Sequence, residues 1–282
     1  MKTLVSVIIP TYNEEKYILG SLNTLILQSY NPIEIIIIDD GSTDSTLKII
    51  QDFSKKDKKI KILKQQHQGP GKARNLGAEK SKGKILIFVD ADMEFDKDYI
   101  KNLVQPILEG KTFGTIHTTE HILNKGNIWA RFWGPRQVVD KDGNGVIFRA
   151  IAKEAFFKYG PFNSDLGYAD DQTIYKNSGI KSRGVDATCY HKNPSSLLEV
   201  YKQSKWIGSS YSFKILDIPI LNLLVIPSYI ILVPFYVIYL IIKKIFENKS
   251  REHIAYFIFL ITKYAGSFVG ILQRIFLKRK LK

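Results

Sequence analysis

At 282 residues the chain exceeds the usual size of one domain, which favours a large domain with a smaller appendage. Lys and Arg number 41 against 27 Asp and Glu, a formal charge of +14 that calls for an anionic partner: nucleic acid, phosphorylated metabolites or an acidic lipid surface. Residues 211–282 alone hold 11 basic and 3 acidic side chains, or +8, which leaves 30 against 24, or +6, for residues 1–210. Because this basic quarter is also the most apolar, it suits an anionic membrane surface better than a nucleic-acid groove.

In chain order, the apolar run Val5 to Ile9 reads as a strand. Pro10 stops it far below the length of a secretory signal, so the N-terminal part is expected in the cytosol, where the single cysteine, Cys189, stays reduced. Asn13 is placed to cap a helix with Ile18, Leu22 and Leu25 on its apolar face. A second strand runs over Ile33 to Ile38, followed by a helix capped by Ser42 or Thr43 and carrying Leu47, Ile50 and Phe53. Lys59 to Leu63 is a third strand, a helix starts near Pro70, and Ile85 to Val89 is a fourth strand. Such alternation predicts an α/β fold with a mostly parallel sheet, helices on both faces and every strand-to-helix loop along one edge. Three polar clusters fall on that edge: Pro10-Thr11-Tyr12-Asn13-Glu14, Asp39-Asp40-Gly41-Ser42 and Asp90-Ala91-Asp92.

Residues 111–210, with short strands, glycine turns and aromatics such as Trp129, Phe132 and Trp133, read as an acceptor half following the 1–110 half. From Leu197 a helix places Leu198, Tyr201 and Lys205 on one face. Residues 211–282 form a membrane-associated region. Ile218 to Ile242 is long enough to cross a bilayer but is broken by Pro219, Pro227 and Pro234, and Ile254 to Leu277 is a second candidate interrupted by Lys263 and Arg274. The basic loop Lys243 to His253 would face outward if both crossed, so attachment to one leaflet and a two-span hairpin both stay open.

Asp90 and Asp92 close the fourth strand, where alternate residues of an extended chain face the same way, so their carboxylates are expected to pair. A hard divalent cation, Mg²⁺ or Mn²⁺, would neutralise such a pair and leave positions for phosphate oxygens. His117 and His121 lie in Gly/Thr-rich surroundings that read as strand and loop, which speaks against a second metal site.

The run Val-Ser-Val-Ile-Ile-Pro-Thr-Tyr-Asn-Glu at 5–14, Ile-Asp-Asp-Gly-Ser-Thr-Asp at 38–44, Gly-Pro-Gly-Lys-Ala-Arg-Asn at 69–75 and the strand ending at Asp92 together resemble family 2 glycosyltransferases over the first hundred residues. The resemblance implies a GT-A, Rossmann-like fold and transfer from a nucleotide-diphosphate sugar with inversion of the anomeric centre. It places Pro10, Thr11, Tyr12, Glu14, Asp39, Asp40, Asp90 and Ala91 around the donor with Arg74 nearby, and it adds Glu94 and His191 to Asp90 and Asp92 as metal ligands. Asp170-Asp171 is similar to the acidic pair that supplies the catalytic base, Asp171 in register with the base and Asp170 standing where Glu is usual. Lys202-Gln-Ser-Lys205-Trp206 is similar to a basic-x-x-Arg-Trp element of membrane-bound relatives, with lysine where arginine offers a planar fork; Lys205 and Trp206 are thereby expected on the donor side.

The expected partners are thus the sugar donor, a lipid-linked or glycan acceptor and the cell membrane, with the catalytic domain cytosolic. A sugar-phosphate nucleotidyltransferase would show a glycine-rich basic loop after the first strand, which Pro10 to Glu14 is not. A noncatalytic basic protein would leave the carboxylates at successive strand and helix ends unexplained.

Overall fold

The computed structural model describes residues 2–210, 232–243 and 252–277, with side chains through Arg274. The described chain forms two compact units: residues up to 123, 135–164 and 169–192 in the first, and 124–134, 165–168 and those from 193 onward in the second.

In the first unit, β1 (Val5–Thr11), β2 (Ile33–Asp39), β3 (Ile60–Lys64) and β4 (Ile85–Phe88) are parallel, in the spatial order β3-β2-β1-β4. Between them run α1 (Ile18–Ile26), α2 (Thr46–Ser54) and α3 (Pro70–Lys80). Alternation along each strand sorts the side chains between two cores. Val5, Val7, Ile9, Ile35 and Ile37 pack against Leu22 and Leu25 of α1 and Ile50 of α2, whereas Ile8, Ile36, Ile38, Leu86 and Phe88 pack with Ala73 and Ala78 of α3. Each fully buried Ile or Leu contributes about 1.5–3 kcal/mol of transfer free energy. On α3 the approach to the sheet is so close that a Cβ on Gly77 would lie 2.5 Å from Ile8 Cγ2.

Beyond β4 the sheet is mixed. β10 (Ala150–Ala152) inserts antiparallel between β4 and β6 (Gly114–His117), and β11 (Ser182–Val185) and β9 (Asn144–Gly145) follow. A second sheet orders β5 (Met93–Phe95), β12 (Cys189–His191), β7 (Thr119–Ile122) and β8 (Arg136–Gln137). Helix α4 (Tyr99–Leu108) adds Tyr99, Ile100, Leu103 and Val104 to the first core.

Two expected caps are corrected. Asn13, at φ 56°, caps nothing: its side chain accepts from Thr43 N at 2.8 Å and stitches the loop after β1 to the loop after β2, and α1 begins only at Ile18. Neither Ser42 nor Thr43 caps α2. Asp44 instead accepts from Thr46 N at 3.0 Å.

Glu34 is a buried carboxylate in an otherwise isoleucine-rich strand. It accepts from Ser6 Oγ at 2.6 Å, from the backbone N–H groups of Lys82 and Gly83, and from Lys61 Nζ. Against the penalty of burial, the hydrogen bonds from Lys61 and Ser6 hold its pKa below the usual range. Its stabilisation is therefore present above the unfolded carboxylate pKa and is lost as pH falls through the folded one. Glu34→Ala is expected to lower unfolding free energy by about 2–3 kcal/mol, read from chemical denaturation at pH 7.

In the second unit, α5 (Ile128–Trp133) is capped by Asn127, which accepts from Trp129 N and Ala130 N. Helix α8 (Leu197–Ser210) packs on α10 (His253–Leu277) backbone to backbone. A Cβ on Gly266 or Gly270 would collide with the α8 carbonyls of Tyr201 and Lys205, and one on Gly208 with Ser267 of α10. This Gly-x-x-x-Gly seam was not read from the sequence. Phe132 and Trp133 of α5 pack on Phe259 of α10, and Lys263 Nζ lies 4.9 Å above the Trp133 ring. α10 contains the one stretch among the described residues long and apolar enough to cross a membrane, His253–Arg274, with mean hydropathy 1.6. Of the expected span Ile218 to Ile242, only the part within the short apolar helix α9 (Leu232–Lys243) is described; the rest lies outside the described residues.

Candidate active site

Several acidic side chains of the first unit lie where the parallel strands end. At the tip of β1, Thr11 is buried, Pro10 is half-buried and Tyr12 is exposed, its ring stacked on His67 with centroids 4.0 Å apart. Asp39 ends β2 buried, with Oδ1 lacking any hydrogen-bond partner. Asp40 is engaged in organising the loop after β3. It accepts from Gln65 Nε2 at 2.6 Å, Gln68 N at 2.9 Å and Gly69 N at 2.8 Å, and faces His67 Nδ1 at 2.9 Å. Position 69 requires glycine's left-handed freedom, at φ 94°, just before Pro70 opens α3.

Asp90 and Asp92 do not sit on an extended chain as expected. The chain turns instead of extending, closed by Met93 N donating to Asp90 O at 3.3 Å, and the two carboxylates meet different partners. Asp90 accepts from Arg74 Nη2 at 2.7 Å and Arg149 Nη1 at 3.1 Å. Against the penalty of burial, these guanidiniums hold its pKa well below the carboxylate range. Asp92 faces His191 Nε2 at 3.5 Å, and burial, with Asp90 nearby, raises its pKa. His191 Nδ1 is buried without a partner, and Ala91 is buried between the two acids. Glu14 joins this negative field: burial and then the Asp92 charge push its pKa up to about 8. Glu94 packs over Gly20 of α1.

Among the described residues no three His, Cys, Asp or Glu side chains are grouped to hold a metal. The donor set that does fit is Asp92 with His191. A carboxylate beside an imidazole whose Nδ1 has no partner matches a divalent cation that takes one or two protein ligands and completes its shell with phosphate oxygens. Asp90, gripped on both oxygens by arginines, is not in that set.

Asp170 and Asp171 lie in the 3-10 helix Ser164–Gln172 that leads into α7 (Thr173–Ser178). Asp170 is buried and accepts from Arg74 Nη1 at 3.0 Å, so Arg74 bridges it to Asp90. A Cβ on Gly71 in the first turn of α3 would lie 2.5 Å from Asp170 Oδ2. Asp171 has no such clamp. Burial and then the charge of Asp170 push its pKa up to about 7, against the opposing fields of Arg74 and Arg149.

Lys205 and Trp206 belong to the second unit, where the Trp206 ring meets Tyr168 edge-on at 5.0 Å and the Lys205 backbone lies in the glycine seam. Three contributors were missed in the sequence, Arg149, Glu120 and Tyr99; with His117 they are linked in a buried chain that ends on Asp90. The available signal was a lone arginine in the apolar run Val146 to Ala152, because a charge entering a core needs a partner.

The Glycosyl transferase family 2 profile matches residues 6–164. Glycosyltransferase GlyA of Streptococcus pneumoniae is 38% identical over 105 residues, 37% of this chain and 15% of its own. The poly(ribitol-phosphate) beta-N-acetylglucosaminyltransferase TarS of Staphylococcus aureus is 40% identical over 100 residues, 34% of this chain and 18% of its own. The chain thus spans less than a fifth of the length of these curated relatives. Among solved structures, the mannosyltransferase PcManGT of Pyrobaculum calidifontis, in complex with GDP-Man and Mn²⁺, superposes with a TM-score of 0.67 at 18% identity, covering 99% of this chain and 89% of that one. TarS 1-349 in complex with UDP-GlcNAc gives 0.57 at 22% identity, covering 82% and 67%. These two structures share the GT-A fold with the α/β unit seen here. The chain belongs to glycosyl transferase family 2.

Proposed function

We propose that this chain transfers a sugar from a nucleoside diphosphate donor to a hydroxyl of a lipid-linked or growing glycan, in one displacement that inverts the anomeric carbon. The observation that carries this reading is the difference in partners within the acidic pair: Asp170 is held by Arg74 at 3.0 Å, while Asp171 has no such clamp and burial and the Asp170 charge push its pKa up to about 7. A carboxylate so poised accepts a proton from an attacking hydroxyl near neutral pH. The strand-end loops bearing Pro10, Thr11, Tyr12, Asp39 and Asp40 would form the donor's nucleoside pocket. Asp39 offers its unpartnered Oδ1 there as an acceptor, and the Tyr12 and His67 rings offer a stacking face. Asp92 and His191 would hold Mg²⁺ or Mn²⁺, which when bound supplies Lewis-acid stabilisation of the departing diphosphate. The Mn²⁺ in the PcManGT complex and the sugar nucleotides in both neighbours agree with this reading.

The reading also places the enzyme on the cytosolic face of the cell membrane. In α9 the side chains of Leu232, Phe235, Ile238 and Ile242 are exposed, as are Ile254, Ile258 and Ile261 of α10, and the surrounding sequence is strongly basic. Co-sedimentation with vesicles containing anionic phosphatidylglycerol is expected to exceed that with neutral phosphatidylcholine. Equal recovery in the supernatant for both would remove the membrane from the proposal.

The direct test incubates the full chain with radiolabelled UDP-GlcNAc or GDP-Man, bacterial membranes and Mn²⁺. Label is expected to appear in the lipid or glycan fraction, and a chelator is expected to abolish the transfer. Transfer that persists in excess chelator would exclude the metal role of Asp92 and His191.

A further inference from the structure

The insertion of β10 between β4 and β6 delivers Arg149 to the site. Its backbone is pinned from both sides, the carbonyl accepting from Phe88 N at 2.8 Å and the N–H donating to Thr115 O at 2.9 Å. The side chain is 8% exposed. One end nitrogen, Nη1, donates to Asp90 at 3.1 Å and the other, Nη2, to Glu120 Oε1 at 3.0 Å. Behind it, Glu120 also faces His117 Nε2 at 3.2 Å and Arg136 Nη1 at 3.5 Å, and His117 Nδ1 meets Tyr99 OH at 2.9 Å. In front of it, Asp90 is bound to Arg74, and Arg74 to Asp170. A continuous chain of polar contacts therefore runs from Tyr99, the buried first residue of α4, to the residue preceding Asp171.

For stability alone this arrangement has little to recommend it. Buried ion pairs seldom outperform apolar side chains of similar volume, and here Arg149 Nε is left buried without a partner. What the chain of contacts does provide is orientation. With one guanidinium on each carboxylate oxygen, Asp90 cannot rotate, and a fixed Asp90 presents Arg74 to Asp170 in one geometry.

We infer that Arg149, backed by Glu120, is a positioning residue for glycosyl transfer: it locks Asp90 against Arg74 and so holds the Arg74–Asp170 pair in place beside Asp171. This rests on the reading of Asp171 as the base. The charged groups acting on Asp171 are Asp170 from its own 3-10 helix, Arg74 from α3, Asp90 from the end of β4 and Arg149 from the start of β10. Loss of a cation from that set favours the protonated acid, so the acid limb of the pH–rate profile moves to higher pH.

The experiment compares Arg149→Met, Arg149→Lys and Glu120→Gln in the full chain, using labelled-sugar transfer across pH 5.5–9, donor affinity by titration and thermal unfolding. Arg149→Met is expected to lower kcat by about 10²-fold, the scale of a misplaced reacting group, and to move the acid limb upward. Arg149→Lys, which keeps the charge but not the planar fork, should restore the limb without restoring kcat. Glu120→Gln should lower kcat less than Arg149→Met, at unchanged donor affinity. If Arg149→Met fails to fold, the other two variants carry the test. Wild-type kcat and pH profile in both Arg149→Lys and Glu120→Gln would overturn the inference. So would losses of activity that follow thermal stability alone with the limb unmoved. Failure of the base reading is seen separately, as retained turnover in Asp171→Asn.

Discussion

Asp171→Asn is expected to lower the transfer rate by about 10²–10⁴-fold while donor affinity stays near the wild-type value, because the amide keeps the shape of the side chain but cannot accept the acceptor's proton. The same substitution should raise thermal stability in alkaline buffer. Burial and Asp170 lift the Asp171 pKa to about 7, well above its value in the unfolded chain. A group raised in this way stabilises the fold fully below the unfolded pKa and loses that contribution as pH rises through the folded one. At pH 8 the wild type therefore carries an unfavourable buried charge that asparagine lacks. For the wild type, the rate in donor-saturated assays should climb with pH through about 7 as the carboxylate forms. Near-normal turnover in Asp171→Asn would assign the base elsewhere; lost turnover without any gain in stability at pH 8 would contradict the buried-charge argument.

Arg74→Ala should have the largest effect on folding. The side chain is 10% exposed and bridges Asp90 at 2.7 Å and Asp170 at 3.0 Å, so truncation leaves two buried carboxylates short of their counter-charge. Breaking a buried ion pair from one side costs about 3–5 kcal/mol, and donor binding should weaken as the strand-end loops relax. Arg74→Lys cannot reach both acids with one ammonium and should recover only part of the loss. The Arg74→Ala, Asp170→Asn double variant removes one stranded charge and should be more stable than Arg74→Ala alone. Denaturant unfolding of the three proteins decides this, and additive losses in the double variant would show that the bridge is not the source of the effect.

The four parallel strands and the helices between them were legible because β1 and β2 are blocks of buried apolar residues closed by turn residues, α1 and α2 each carry an apolar stripe, and Pro70 marks the start of α3. The loops carrying Tyr12, Asp40 and Asp90 were legible for the same reason, since parallel strands with right-handed crossovers put all such loops at one edge. Cap positions were not: Asn13 fits a cap by residue type, yet a hydrogen bond to Thr43, thirty residues away, draws it into joining two loops. The mixed half of the sheet was harder, because β9, β10 and β12 are two or three residues long and have no period of their own. The Asp90 and Asp92 carboxylates were found at the correct strand end, but their pairing assumed an extended chain where the structure has a turn.

Composition, periodicity and the order of strand-end acids were enough to establish the α/β class, the edge where the strand-end acids lie and the basic, apolar C-terminal quarter, since all of these are written over a few neighbouring residues. The division of labour among the acids was not. Asp90 owes its role to Arg149, 59 residues away, and Asp170 owes its role to Arg74, 96 residues away. A carboxylate's charge, rotation and proton affinity are governed by groups within about 3–4 Å, where interaction energies are large and fall steeply with distance and solvation. Such neighbours exist only once distant segments have packed.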